Sequence, residues 1–192
     1  MFKKIQEELK KYASQWNMLT EAYKAEKKKI NEDYNQTGTL WHQMFTDLKS
    51  QYDSNVESAL KESRDKIYAM IEENAQMNKA KLTDDVDLKV VAQLELLKTT
   101  KVTQLEIEQY LKKYYNNHLV VKVLKEIAKD NGILVTRTVT IEDYLVALDE
   151  VKGNCWKFFQ EYRGTLNSYH CEWMLAEAGI VDTWQEEYKM FI

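Results

Sequence analysis

No proline interrupts the 192 residues of this chain. At ordinary usage of about 5%, roughly ten would be expected. Proline ends or kinks helices, because it lacks a backbone donor and clashes with the preceding turn. Glycine, the other helix breaker and turn former, occurs only five times. A chain so poor in both is suited to long uninterrupted helices and has little with which to build hairpins. The expected fold class is all-α.

The apolar periodicity sharpens this. Phe2, Ile5, Leu9, Tyr12, Trp16, Leu19 and Tyr23 are spaced alternately three and four apart, and the stripe reaches Ile30 with Glu26 interrupting it. That is the a/d spacing of a helix whose one seam faces a partner helix. Seams rich in Tyr and Trp suit packing into a bundle better than a tight two-stranded zipper. Gly38 and its threonine neighbours mark a turn. A second helix is expected over about 40–81, with Trp41, Met44, Phe45, Leu48, Tyr52, Val56, Leu60, Ile67, Met70, Ile71 and Met77 as its apolar stripe. At 1.5 Å per residue the two helices span about 50 and 60 Å. A compact globule of this chain length is roughly 40 Å across. The reading is a long helical hairpin or rod, coiled-coil-like, over 1–82, followed by a small helical domain over 83–192, with the boundary near 80–86.

Within the second part, Thr83-Asp84-Asp85 supplies capping chemistry for a third helix with Val86, Val90, Val91, Leu94 and Leu97 buried. Thr103 and Glu106 form a capping box for a fourth, carrying Leu105, Ile107, Tyr110, Leu111 and Tyr114. A fifth bears Leu119, Val120, Val123, Leu124 and Ile127 and stops at Asn131-Gly132. Residues 134–139 alone have strand composition and read as a connector or short edge strand. A helix restarting at Thr140 turns Ile141, Tyr144, Leu145, Leu148, Val151, Cys155, Trp156, Phe159 and Tyr162 inward and ends at Gly164. A shorter helix over Ser168–Ala178 and a last turn with Trp184, Tyr188 and Phe191 complete the expectation.

Charge is uneven. The net value is −4, with +1 over 1–82, +1 over 83–137 and −6 over 138–192, where ten of the 22 aromatics also fall. This is not the broad basic face of a general nucleic-acid binder. Lys24, Lys27, Lys28 and Lys29 read as a solvated face rather than a phosphate site. No apolar run approaches the ~18 residues of a membrane span, and the first residues lack the apolar core of a signal peptide. We expect a cytoplasmic protein without membrane association, its two cysteines reduced and buried.

No arrangement of side chains points to catalysis. His42, His118 and His170 are isolated from one another and fit no metal-binding spacing. Cys155, His170, Cys171 and Glu172 lack the closely paired ligands of structural zinc. The five glycines form no phosphate loop, and the carboxylate pairs Asp84-Asp85, Asp149-Glu150 and Glu186-Glu187 do not face one another across a cleft. The expectation is no enzyme, no cofactor, no metal and no small-molecule substrate.

Two stretches carry a family likeness: 109–117, QYLKKYYNN, and 125–133, KEIAKDNGI, set behind a charged helical rod. The layout resembles small helical head-assembly proteins, of the scaffolding type, from tailed phages and prophages of Firmicutes. The resemblance implies host cytoplasm, self-association and contact with capsid or portal proteins. The expected function is thus structural: self-association, or pairing with another helical protein, through Phe2, Ile5, Leu9, Tyr12, Trp16, Leu19, Tyr23, Trp41, Phe45, Leu48 and Tyr52. The alternative is a DNA-binding regulator using a helix-turn-helix-like pair at 103–130, with Lys122, Lys125 and Lys129 as its cationic stripe.

Overall fold

The structure is a computed structural model describing residues 1–34, 38–83, 85–115, 117–135, 139–162, 188–189 and 191–192. It is all-α. Six helices are described: α1 (Phe2–Asp33), α2 (Thr39–Ala80), α3 (Leu88–Thr99), α4 (Gln104–Tyr114), α5 (His118–Asp130) and α6 (Ile141–Glu161), with a 3-10 turn at Lys81–Thr83 after α2. No strand occurs among the described residues; 133–135 are neither helix nor strand, and 136–138 lie outside them. The expected helix at Ser168–Ala178, Trp184, His170 and Cys171 also lie outside. The chain divides into two compact units, Met1–Ile71 with Glu150–Gln185, and Glu72–Asp149 with Glu186–Ile192.

The first unit is built on the α1 stripe. Phe2, Ile5, Leu9, Tyr12, Trp16 and Ile30 of α1 are buried, as are Ala59, Ser63, Ile67 and Ile71 of α2 and Val151, Cys155, Phe158, Phe159 and Tyr162 from α6 and its C-terminal end. Aromatic rings dominate the contact. Tyr12 meets Phe159 edge-on with ring centres 5.0 Å apart, Trp16 meets Tyr162 at 5.6 Å, and Phe158 stacks on Tyr162 at 5.5 Å. Such pairs each add about 0.5–1.5 kcal/mol beyond the area they bury. The Tyr162 hydroxyl donates to Asn17 Oδ1 at 2.9 Å, so the ring is deep while its polar end is satisfied.

The second unit has its own core of Leu94, Leu97, Ile107, Leu111, Val120, Val121, Leu124, Ile127 and Ala128. Its helix ends are closed by local chemistry. Thr103 and Glu106 make the reciprocal capping box, and Asn117 accepts from the Val120 amide. At the end of α5, Gly132 (φ 67) lets the Ile133 amide reach the Ala128 carbonyl at 2.9 Å and the Gly132 amide reach Lys129 at 3.1 Å. That is a Schellman cap, with Ile133 packed on the core as expected for the motif. Thr140 and Asp143 form a second reciprocal cap at the start of α6.

Several side chains differ from expectation. The α3 cap is Asp87, whose carboxylate accepts from the Lys89 amide at 2.9 Å, and not a residue of Thr83-Asp84-Asp85. Val91, Leu105, Leu119 and Trp156 are 40–64% exposed, while Val121 and Phe158 are buried. Met77 is also exposed, at 53%. The buried positions beside it belong to Asn74 and Asn78. Asn78 Nδ2 donates to the carbonyls of Asn74 and Phe191, both at 2.9 Å, and its Oδ1 accepts from Lys81 at 3.2 Å. Tyr144 donates to Asn74 Oδ1. Asparagine is apt here because each buried carbonyl and hydroxyl needs a partner that methionine cannot supply.

Candidate interaction surface

α1 and α2 run antiparallel, and their contacts fall in order along the pair. Ser63 of α2 donates to Glu8 of α1 at 3.4 Å. Trp16 donates its indole N–H to the Tyr52 hydroxyl at 2.9 Å, and Thr20 shares that hydroxyl at 3.0 Å. Tyr23 packs on Tyr52 with ring centres 4.7 Å apart. Trp41 donates to Asn31 at 2.9 Å and stacks on Phe45 at 5.2 Å.

The eleven residues expected at an interface fall into two groups on this seam. Phe2, Ile5, Leu9, Tyr12 and Trp16 are at most 7% exposed within the single chain, which leaves them almost no area for a partner. Leu19, Tyr23, Trp41, Phe45, Leu48 and Tyr52 are half-buried. Four of these six, Leu19, Tyr23, Leu48 and Tyr52, line a cleft of about 270 Å³ between the helices, with Ala22 and Asn55 beside them and Glu26 and Gln51 among its polar members. The seam is therefore closed from Phe2 to Trp16 and again at Ile30, and open between them around Leu19 and Tyr23. Thr20, Gln51 and Asn55 are polar and carry no apolar signal, so periodicity alone passes over them. Glu26 did leave a trace: a carboxylate at a stripe position marks where the stripe meets water.

The flanks of the open part are electrically quiet. Lys24 pairs with Glu21 at 2.8 Å, Lys29 with Glu26 at 2.9 Å and Lys28 with Glu32 at 3.6 Å, all along α1 itself. Lys27 lies over the Phe45 ring, 5.0 Å from its centre. Exposed pairs of this kind add little stability, but they leave no unmatched field to hold a phosphate.

On α5, Lys122, Lys125 and Lys129 are exposed. Among the described residues none of the three makes an ion pair. His118 contacts Glu142 at 3.3 Å, and His42 is exposed, with its ring against Trp41. Cys155 is fully buried and its thiol is pushed up to about 12 by that burial, the opposite of a reactive cysteine. Burial likewise pushes the Tyr144 hydroxyl up. Among the described residues no group of three or more His, Cys, Asp or Glu could hold a metal ion, and no helix is long and apolar enough to cross a membrane.

Comparison with known protein families, curated proteins and solved structures returns no match.

Proposed function

We propose that this chain is a non-enzymatic assembly protein that self-associates through the open part of the α1–α2 seam. The observation that carries the reading is the cluster of six half-buried aliphatic and aromatic side chains there, four of them lining a cleft, on a seam that is buried from Phe2 to Trp16. Leu19 and Tyr23 are four apart; Trp41, Phe45, Leu48 and Tyr52 follow at four, three and four. Both helices thus keep the heptad spacing on the open side. A second copy would add two helices of the same spacing and close a four-helix arrangement. The interface would be isologous, each copy presenting the same patch. Internally paired lysines on α1 remove the repulsion that two like surfaces would otherwise feel. The same reading fits the head-assembly type of protein that the layout resembles, with capsid or portal subunits as further partners in the host cytoplasm.

Light scattering on the full chain tests it. A dimer or larger species is expected, and Tyr23→Glu with Leu48→Glu should return a folded monomer. Full-length protein that stays monomeric at its highest soluble concentration would refute the reading.

A further inference from the structure

α3, α4 and α5 share one nine-residue core, and α5 packs on both of the others. α4 and α5 are joined across residues 115–117, and both are locked at their starts, α4 by the Thr103–Glu106 box and α5 by Asn117. The outer face of α5 is therefore held at a fixed angle to its neighbours.

That face is divided. At 100° per residue, Lys122, Lys125 and Lys129 fall within a sector of about 60°, whereas Leu119, Glu126 and Asp130 lie along the opposite edge. The buried residues Val120, Val121, Leu124, Ile127 and Ala128 occupy the other side of the helix. The lysine edge differs from the lysine run of α1, whose members pair with carboxylates or cover a ring. The carboxylates of the same helix are Glu126, one turn after Lys122, and Asp130, beside Lys129; among the described residues neither is ion-paired with the three lysines. Over 88–130 there are eight lysines against five carboxylates, a balance of +3 hidden by the net charge of the whole chain.

We propose that the lysine edge of α5 binds the phosphate backbone of double-stranded DNA without reading its sequence. Arg, Asn and Gln, whose planar groups pair most rigidly with purine edges, are absent from α5, and lysine acts chiefly as a point charge. Three ammonium groups rising along one edge of a rigid helix match a backbone, where each phosphate needs only a point charge. An anionic membrane is the poorer partner, since the opposite edge of α5 is acidic and Leu119 is its lone exposed large apolar residue.

The test is fluorescence anisotropy of the full chain with two duplexes of unrelated sequence and with vesicles of anionic lipid, over a salt series. Three phosphate contacts predict a log–log salt slope near −2.7, so that affinity falls about 40-fold from 50 to 200 mM salt. Both duplexes should bind alike. Lys122→Glu with Lys125→Glu should weaken binding more than tenfold and bring the slope to about −1; Lys122→Arg with Lys125→Arg should keep it. Circular dichroism checks that the variants are folded, and their mass by light scattering should equal that of the parent, separating this result from self-association. Absence of duplex binding at 50 mM salt, an unchanged slope in the Glu variant, or vesicle binding without duplex binding would each overturn the proposal.

Discussion

Replacing Asn78 by alanine removes the donor that serves the Phe191 carbonyl while leaving that carbonyl in place. Asn78 is 1% exposed, so little water can take over. The lost hydrogen bond is worth about 1 kcal/mol, and an orphaned buried acceptor costs about 1–3 kcal/mol more. Alanine is the better helix former and returns roughly 0.5 kcal/mol. The expected loss is about 1.5–3.5 kcal/mol. For a chain of this size each kcal/mol moves Tm by about 2–4 °C, so the midpoint should fall by about 3–14 °C. Urea unfolding followed by circular dichroism gives the same quantity as a change in midpoint at constant slope. Met77→Ala is the internal control: its side chain is 53% exposed on the same turn, and the change should stay within about 0.5 kcal/mol. If Asn78→Ala were as mild as Met77→Ala, the polar contact would not be holding the unit together and the burial argument would fail.

Two glycines should respond with opposite sign. Gly132 sits at φ 67 with nothing near a built Cβ, so Gly132→Ala should cost about 1 kcal/mol from backbone strain alone. Gly153 lies inside α6, also with open space around it, and Gly153→Ala should stabilise by about 0.5–1 kcal/mol; chemical denaturation reads both. In a Cys171→Ser variant the remaining thiol, Cys155, should resist a thiol reagent at pH 8 until denaturant is added, because burial holds it protonated. Glu106 is held below its ordinary value of 4.5, first by the Thr103 amide and then by the Thr103 hydroxyl. A carboxylate lowered on folding stabilises above its unfolded value and ceases to as pH falls through the folded one. Thr103→Ala keeps that amide but removes the hydroxyl, so the lost side-chain cap should cost about 1 kcal/mol at pH 7, and the gap to the parent should narrow only slightly below pH 4.5 in acid titrations.

Much of this fold was readable because helices announce themselves locally. The a/d spacing from Phe2 to Trp16, the Thr103–Glu106 box and the Asn131-Gly132-Ile133 stop each depend on neighbours a few residues away, and each is present. What periodicity could not supply was the identity of the covering element. The stripe on α1 reads the same from Phe2 to Tyr23, yet α6 covers its first half and the second remains half-wet. Asn74 and Asn78 were passed over for the same reason: asparagine is ordinarily exposed, and only Tyr144 and Phe191, 70 and 113 residues further along in their hydrogen-bonded pairs, make their burial favourable. On α5, the placing of lysines and carboxylates in neighbouring sectors is legible in the spacing, but the absence of ion pairs to Lys122, Lys125 and Lys129 among the described residues is not.

The interleaving of the two units has a consequence for synthesis. Met1–Ile71 clusters with Glu150–Gln185, and Glu72–Asp149 with Glu186–Ile192, so neither unit is one continuous stretch of chain. At 5–20 residues per second, the 113 residues separating Asn78 from Phe191 take on the order of ten seconds to emerge. For most of that interval Tyr12 lacks Phe159, and for all of it Asn78 lacks its carbonyl. A nascent chain of this kind has the aromatic stripe of α1 out first and its cover out late, which makes it a natural client for whatever holds unfinished chains apart.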